Sequence, residues 1–93
     1  MNWFIYKDDL FIPVDIRALT IDDAVKAGLI IAREVLGEVD KYCVYEVGDE
    51  VVIEYWRDKE LSTKLIYADD PAMALMRYYN AEKAGLIECS SVF

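Results

Sequence analysis

The sequence predicts an α+β fold: a single domain in ββαβββα order, an antiparallel sheet with two helices packed mainly on one face. Three observations lead there. Apolar residues make up 56% of a 93-residue chain, enough for a core in a domain this short. Two segments repeat apolar residues at helical spacing. Five shorter segments, rich in aromatic and β-branched residues, are separated by Asp, Glu and Gly turns.

Each element has its own signal. A hairpin is expected over 2–16. Asn2 to Tyr6 is apolar and aromatic, Lys7-Asp8-Asp9 breaks it, and Leu10 to Ile16 returns. Pro13 lacks a ladder donor, which places the second strand at an edge or a bulge. A helix follows over 20–36. Thr20-Ile21-Asp22-Asp23 reads as a capping box with Asp for Glu, and both acids suit the positive end of the helix dipole. Ile21, Val25, Gly28, Ala32 and Val35 form its apolar stripe, and Gly37 stops it.

A three-stranded meander is expected over 42–67, with three-residue loops at Gly48-Asp49-Glu50 and Asp58-Lys59-Glu60. A two-residue loop would put acids into the core. This register pairs Tyr45 with Ile53 and Ile53 with Leu65. One face then carries Cys43, Tyr45, Val47, Ile53, Tyr55 and Leu65; the other carries Tyr42, Val44, Glu46, Glu54, Trp56 and Lys64. Glu54 falls opposite Lys64, a favourable cross-strand pair. The second helix is expected over 71–84, capped by Asp70 with Pro71 at the first turn and ended by Gly85. Its expected core stripe is Ala72, Leu75, Met76 and Tyr79. A short tail, 86–93, adds a strand or packs back.

Eighteen acids against ten bases, with no histidine, give a net charge of −8. The acids come as doublets: Asp8-Asp9, Asp22-Asp23, Asp49-Glu50 and Asp69-Asp70. Such a surface repels nucleic-acid backbone and anionic membrane and attracts a protein with a basic surface. Direct nucleic-acid binding would need a basic footprint, and the basic residues are scattered between acids. The longest apolar run, Ala27 to Ala32, is too short for a membrane span.

The chemistry-bearing motifs are few. Without histidine or Cys-x-x-Cys, no zinc site is expected; no EF-hand loop or Gly-rich phosphate loop occurs. A serine or cysteine nucleophile would lack its usual base. Neither a catalytic residue, nor a cofactor, nor a metal site is therefore expected, and the chain reads as non-enzymatic. Cys43 and Cys89 are too few for a disulfide framework, so Cys43 is read as a buried small hydrophobe in a reduced, cytoplasmic protein. MNWFIYKDDL lacks the basic region and apolar stretch of a signal peptide, which agrees.

Most acids have local work as turn formers and helix caps. Glu46 and Glu54 stand apart, beside Tyr42 and Trp56 on what should be the outer sheet face. So do Glu34, Glu38 and Asp40 around the end of the first helix. These seven residues are the expected partner-binding set. Trp and Tyr on a solvated face suit an interface core. A second reading makes that Trp56/Tyr42 face a homodimer contact in a structural or regulatory protein. A third is a small-ligand pocket lined by Tyr45, Tyr55, Tyr67 and Tyr79.

The stretch from Phe11 to Gly48 combines a strand ending in Val14-Asp15, a Thr-capped amphipathic helix closing on Leu36-Gly37-Glu38, and a strand with Val44-Tyr45. In this it resembles the small acidic proteins that phages and archaeal viruses use against host defence, in particular anti-CRISPR proteins of type I systems. It covers under half the chain. Such proteins share neither one fold nor one motif, so no functional residue carries over. The resemblance implies an inhibitor in the host cytoplasm that occupies a basic nucleic-acid-binding surface of a host complex.

Overall fold

The computed structural model describes residues 1–85 and 88–92, with Glu88 by its backbone alone. The elements are β1 (Asn2–Lys7), β2 (Leu10–Val14), α1 (Ile21–Leu36), β3 (Lys41–Val47), β4 (Glu50–Arg57), β5 (Leu61–Ala68), α2 (Pro71–Ala84) and β6 (Glu88–Ser91). The expected ββαβββα order and α+β class are present. The tail contributes β6; Leu86, Ile87 and Phe93 of that tail lie outside the described residues. The strands form one six-stranded antiparallel sheet in the order β2-β1-β5-β4-β3-β6. β2, with Pro13, is an edge strand as expected.

The helices lie on opposite faces of this sheet, not on one. α1 packs Ala24, Val25, Ala32 and Leu36 against Trp3, Ile5, Ile53, Tyr55 and Leu65. On the other side α2 packs Ala74 and Ala81 against Phe4, Tyr45, Val52, Ile66 and Ala68. The reason is visible in the central strands. β1 buries Trp3, Phe4 and Ile5 in succession, and β5 buries Leu65 and Ile66. Neighbouring strand residues point to opposite faces, so an unbroken apolar run needs cover on both.

Local chemistry sets the element ends. Thr20 Oγ1 accepts from the Asp23 amide at 3.1 Å, and Asp70 Oδ1 accepts from the Met73 amide at 2.8 Å, so both expected caps form. Gly37 takes φ 87° and donates to Arg33 O at 2.8 Å, closing α1. Gly28 serves close approach instead. A methyl group there would overlap Tyr55 Oη and lie 2.7 Å from Leu65 Cδ2. The bare helix surface lets Tyr55 Oη donate to Val25 O at 2.8 Å.

The β4–β5 register is as expected, with Ile53 opposite Leu65 and Glu54 opposite Lys64. The β3–β4 register is one residue off expectation. Val47 pairs with Glu50 across a two-residue turn, and Tyr45 faces Val52. Gly48, at φ 62°, occupies the first turn position, where a two-residue hairpin requires positive φ. A one-residue slip exchanges every side chain of a strand between faces. The acids escape the core all the same: Glu46 is exposed at the strand end, and Glu50 accepts from Asn80 Nδ2 at 2.9 Å.

α2 buries a different stripe from the one expected. Ala74, Arg77 and Ala81 are buried, while Leu75, Met76 and Tyr79 are exposed. The two stripes are both helical in spacing. The sheet takes the one carrying alanines, which allow the helix axis to come close, and Arg77, whose Nη1 donates to Tyr67 O at 2.6 Å.

Cys43 and Cys89 form a disulfide between directly opposed residues of β3 and β6. Cys43 is thus not a free hydrophobe, and the argument for a reduced compartment loses its footing. No helix among the described residues is long and apolar enough to cross a membrane.

Candidate functional site

The slipped register divides the expected partner-binding set. Tyr42 and Glu46 share the α1 side with Ile53 and Tyr55; Tyr42 lies 6.5 Å from Tyr55, ring to ring. Glu54 and Trp56 are on the α2 side. The Trp56/Tyr42 face is therefore not one surface, and the homodimer contact expected there has no single patch to use. Tyr45, Tyr55, Tyr67 and Tyr79 do not line one pocket either. Tyr55 and Tyr67 are on the α1 side, Tyr45 on the α2 side, and Tyr79 faces out.

Glu38 and Asp40 line a corner at the end of α1, and Glu34 is in the last turn of that helix. Asp40 Oδ2 accepts from the Asp58 amide at 3.0 Å, tying β3 to the β4–β5 turn. Arg57 Nη1 donates to Leu36 O at 2.9 Å and so satisfies one of the carbonyls at the end of α1. With Arg33 and Arg57 beside Glu38, Asp40 and Asp58, this corner is mixed in charge.

On the α2 side a groove of about 430 Å³ opens where α2 ends in Ala81 and Gly85 and leaves the β4–β5 hairpin uncovered. Its polar floor is Lys64, Glu54 and Ser62; Trp56, Tyr78 and Glu82 form its walls. Lys64 Nζ lies 2.8 Å from Glu54 Oε2, 2.9 Å from Glu82 Oε1 and 4.6 Å from the Tyr78 ring centroid. Burial pushes the Lys64 ammonium down, but hydrogen bonds to Glu54 and Glu82 outweigh it and raise its pKa above the ordinary lysine value. An ammonium held this firmly is not a nucleophile or a base at neutral pH. The groove carries two carboxylates to one ammonium.

The strongest concentration of acid was not anticipated as a site. β4 and β5 are neighbours, with Val51 opposite Tyr67. Two steps further, the same register brings Asp49 level with Asp69, with Glu50 beside Ala68 and Asp70 just beyond. Arg77 pairs with the first doublet, its Nη2 3.6 Å from Asp49 Oδ2 and its Nε 4.0 Å from Glu50 Oε1. The terminal ammonium of Met1 lies 3.8 Å from Asp69 Oδ1. Three carboxylates thus pair with two positive groups, and Asp70 beside them caps α2. The Asp49 and Asp69 side chains are 76% and 57% exposed, so most of their field reaches solvent. Glu46, the residue before the last of β3, is at this same end of the sheet on its α1 side, and Asp15 follows Val14, which lies beside Met1 and Tyr67. The signal was available: the loop Asp58-Lys59-Glu60 fixes the β4–β5 register, and that register alone brings the two doublets together.

Among the described residues no cluster of His, Cys, Asp and Glu has the arrangement of a metal site. No family model, curated protein or solved structure matches the chain.

Proposed function

We propose that the chain is a non-enzymatic interaction protein whose acidic end binds a protein with a basic surface. The observation behind it is the gathering of Asp49-Glu50 and Asp69-Asp70 at one end of the sheet, with Asp49, Asp69 and Asp70 exposed and only Arg77 and the N-terminus paired against them. A rigid array of carboxylates on a sheet end meets the field that a lysine- and arginine-lined nucleic-acid channel offers to phosphates. In this reading the protein competes with nucleic acid for such a channel. That agrees with the resemblance to anti-defence inhibitors carried by Phe11 to Gly48. Glu54 of the expected set is engaged with Lys64 and takes a structural part; Glu46 joins the acidic end. Cytoplasmic action would call for the Cys43–Cys89 bond to survive or cycle there, since disulfides persist chiefly in oxidising surroundings.

The test is a pull-down at low and high salt, followed by competition with heparin. The triple variant Asp49→Asn/Asp69→Asn/Asp70→Asn is carried in parallel; Asn keeps the α2 cap. A basic partner should be captured at low salt, displaced by heparin, and lost in roughly 1 M salt, where screening is nearly complete beyond ~3 Å. The variant should bind at least roughly tenfold more weakly, as three charge contacts of about 0.5 kcal/mol each imply. An acidic partner, or capture equal in both salts, rejects the reading.

A further inference from the structure

A surface helix needs one apolar stripe, and α2 has two. The sheet takes Ala74, Tyr78 and Ala81. Ala72, Leu75, Met76 and Tyr79 form the second stripe, which faces away; Leu75, Met76 and Tyr79 are 41%, 66% and 61% exposed. Other exposed apolar side chains, such as Leu19 and Ile30, stand singly and call for no explanation. This stripe is continuous over two turns.

We infer that the outer stripe of α2 pairs with the α2 of a second copy, antiparallel about a two-fold axis between Leu75 and Met76. Three features select this occupant. Under such an axis Leu75 meets Met76 of the copy, and Ala72 meets Tyr79, so a small residue faces a large one at both ends. The stripe also has opposite charges at its two ends, with Asp69 and Asp70 before the helix and Lys83 in its last turn. Antiparallel pairing brings Lys83 of each copy to the other's Ala68–Asp69, while Glu82 is held by its own Lys64, and an isologous contact repeats that match. Finally, the two helix dipoles oppose, whereas parallel pairing would align them and place acid on acid. The patch is smaller than the ~800 Å² per partner of a standard interface, so the dimer is a weak one, roughly micromolar. The contact shares Asp69 with the acidic end proposed above, while Leu75, Met76 and Tyr79 lie outside that end.

Sedimentation velocity on the intact, oxidised chain, from micromolar to millimolar, tests it. A monomer–dimer equilibrium is expected. Met76→Lys, at a position too exposed to endanger folding, should weaken it at least roughly tenfold. Lys83→Glu should weaken it roughly threefold, and the double variant Lys83→Glu/Asp69→Lys should restore it. Capture of a basic partner should be unchanged by Met76→Lys, which lies outside the acidic end, so either reading can fail alone. A monomer at millimolar concentration, a dimer indifferent to Met76→Lys, or a charge-reversed double variant no better than the single one overturns the inference.

Discussion

The two sides of the sheet are built differently. The α1 side is nearly all apolar: Ala24, Ala32, Ile53, Tyr55 and Leu65 have essentially no exposure, and its buried polar contacts are neutral, the Tyr55 hydroxyl on Val25 O and the Thr63 hydroxyl on Tyr6 O. The α2 side holds charge. Lys64 and Arg77 are buried there, each surrounded by carboxylates or carbonyls, and the Cys43–Cys89 bond lies on the same side. Apolar packing with the Tyr55 and Arg57 hydrogen bonds fixes α1, whereas α2 is fixed by small alanines and two buried cations. The lesson is that one sheet can use apolar surface for stability on one face and charge placement for specificity on the other.

The contrast can be broken most forcefully at the disulfide. Cys43 and Cys89 are 46 residues apart, and the loop-entropy account assigns such a closure about 4 kcal/mol. Denaturant melts with and without reductant should show a loss of that order. Amide exchange should then rise first in β6 and β3 and least in α1. Equal exchange on both sides would dissolve the distinction.

Next in size is Lys64→Met, which leaves Glu54 buried without its cation and should cost about 3 kcal/mol in equilibrium melts. Glu82 is half exposed and adds little. The double variant Lys64→Met/Glu54→Gln should recover most of the loss, because the stranded charge is gone. If it does not, the pair is stabilising in its own right.

The smallest expected effect sharpens the comparison through pH. Tyr55 is raised above its ordinary 10.0 by burial first and by Tyr42 second, and Lys64 is raised above 10.5. A group raised on folding contributes fully below its unfolded pKa and loses that contribution as pH climbs through the folded one. Stability should therefore hold to about pH 10 and then fall, by up to about 1.4 kcal/mol per pH unit for Tyr55 and with a further loss from Lys64. Tyr55→Phe should remove the α1 share of this alkaline loss and Lys64→Met the α2 share. An alkaline limb unchanged by either variant would contradict both assignments.

Much of this architecture was legible beforehand. Thr20 and Asp70 announced their helices because capping chemistry is local, and Gly37 announced an end for the same reason. The pairing of Glu54 with Lys64 followed from a three-residue loop. The site was legible only in pieces. Tyr42 and Trp56 looked like neighbours because Gly48-Asp49 was counted with Glu50 as a loop, and one residue of register moves Tyr42 through the sheet. Asp49-Glu50 and Asp69-Asp70 each read as local turn and cap signals, since nothing in either doublet states that strand pairing will join them.

Helix caps, the β4–β5 turn and the order of elements along the chain were determined by the sequence itself, because each depends on residues a few positions apart. The tertiary structure decided which stripe of α2 meets the sheet, that the helices take opposite faces, and that Cys43 meets Cys89. It also decided where the charge of −8 becomes dense. Those outcomes depend on competition between surfaces of similar apolar content. Such competition is settled by close approach, as at Ala74, Ala81 and Gly28, and by finding a partner for every buried charge, as at Lys64 and Arg77.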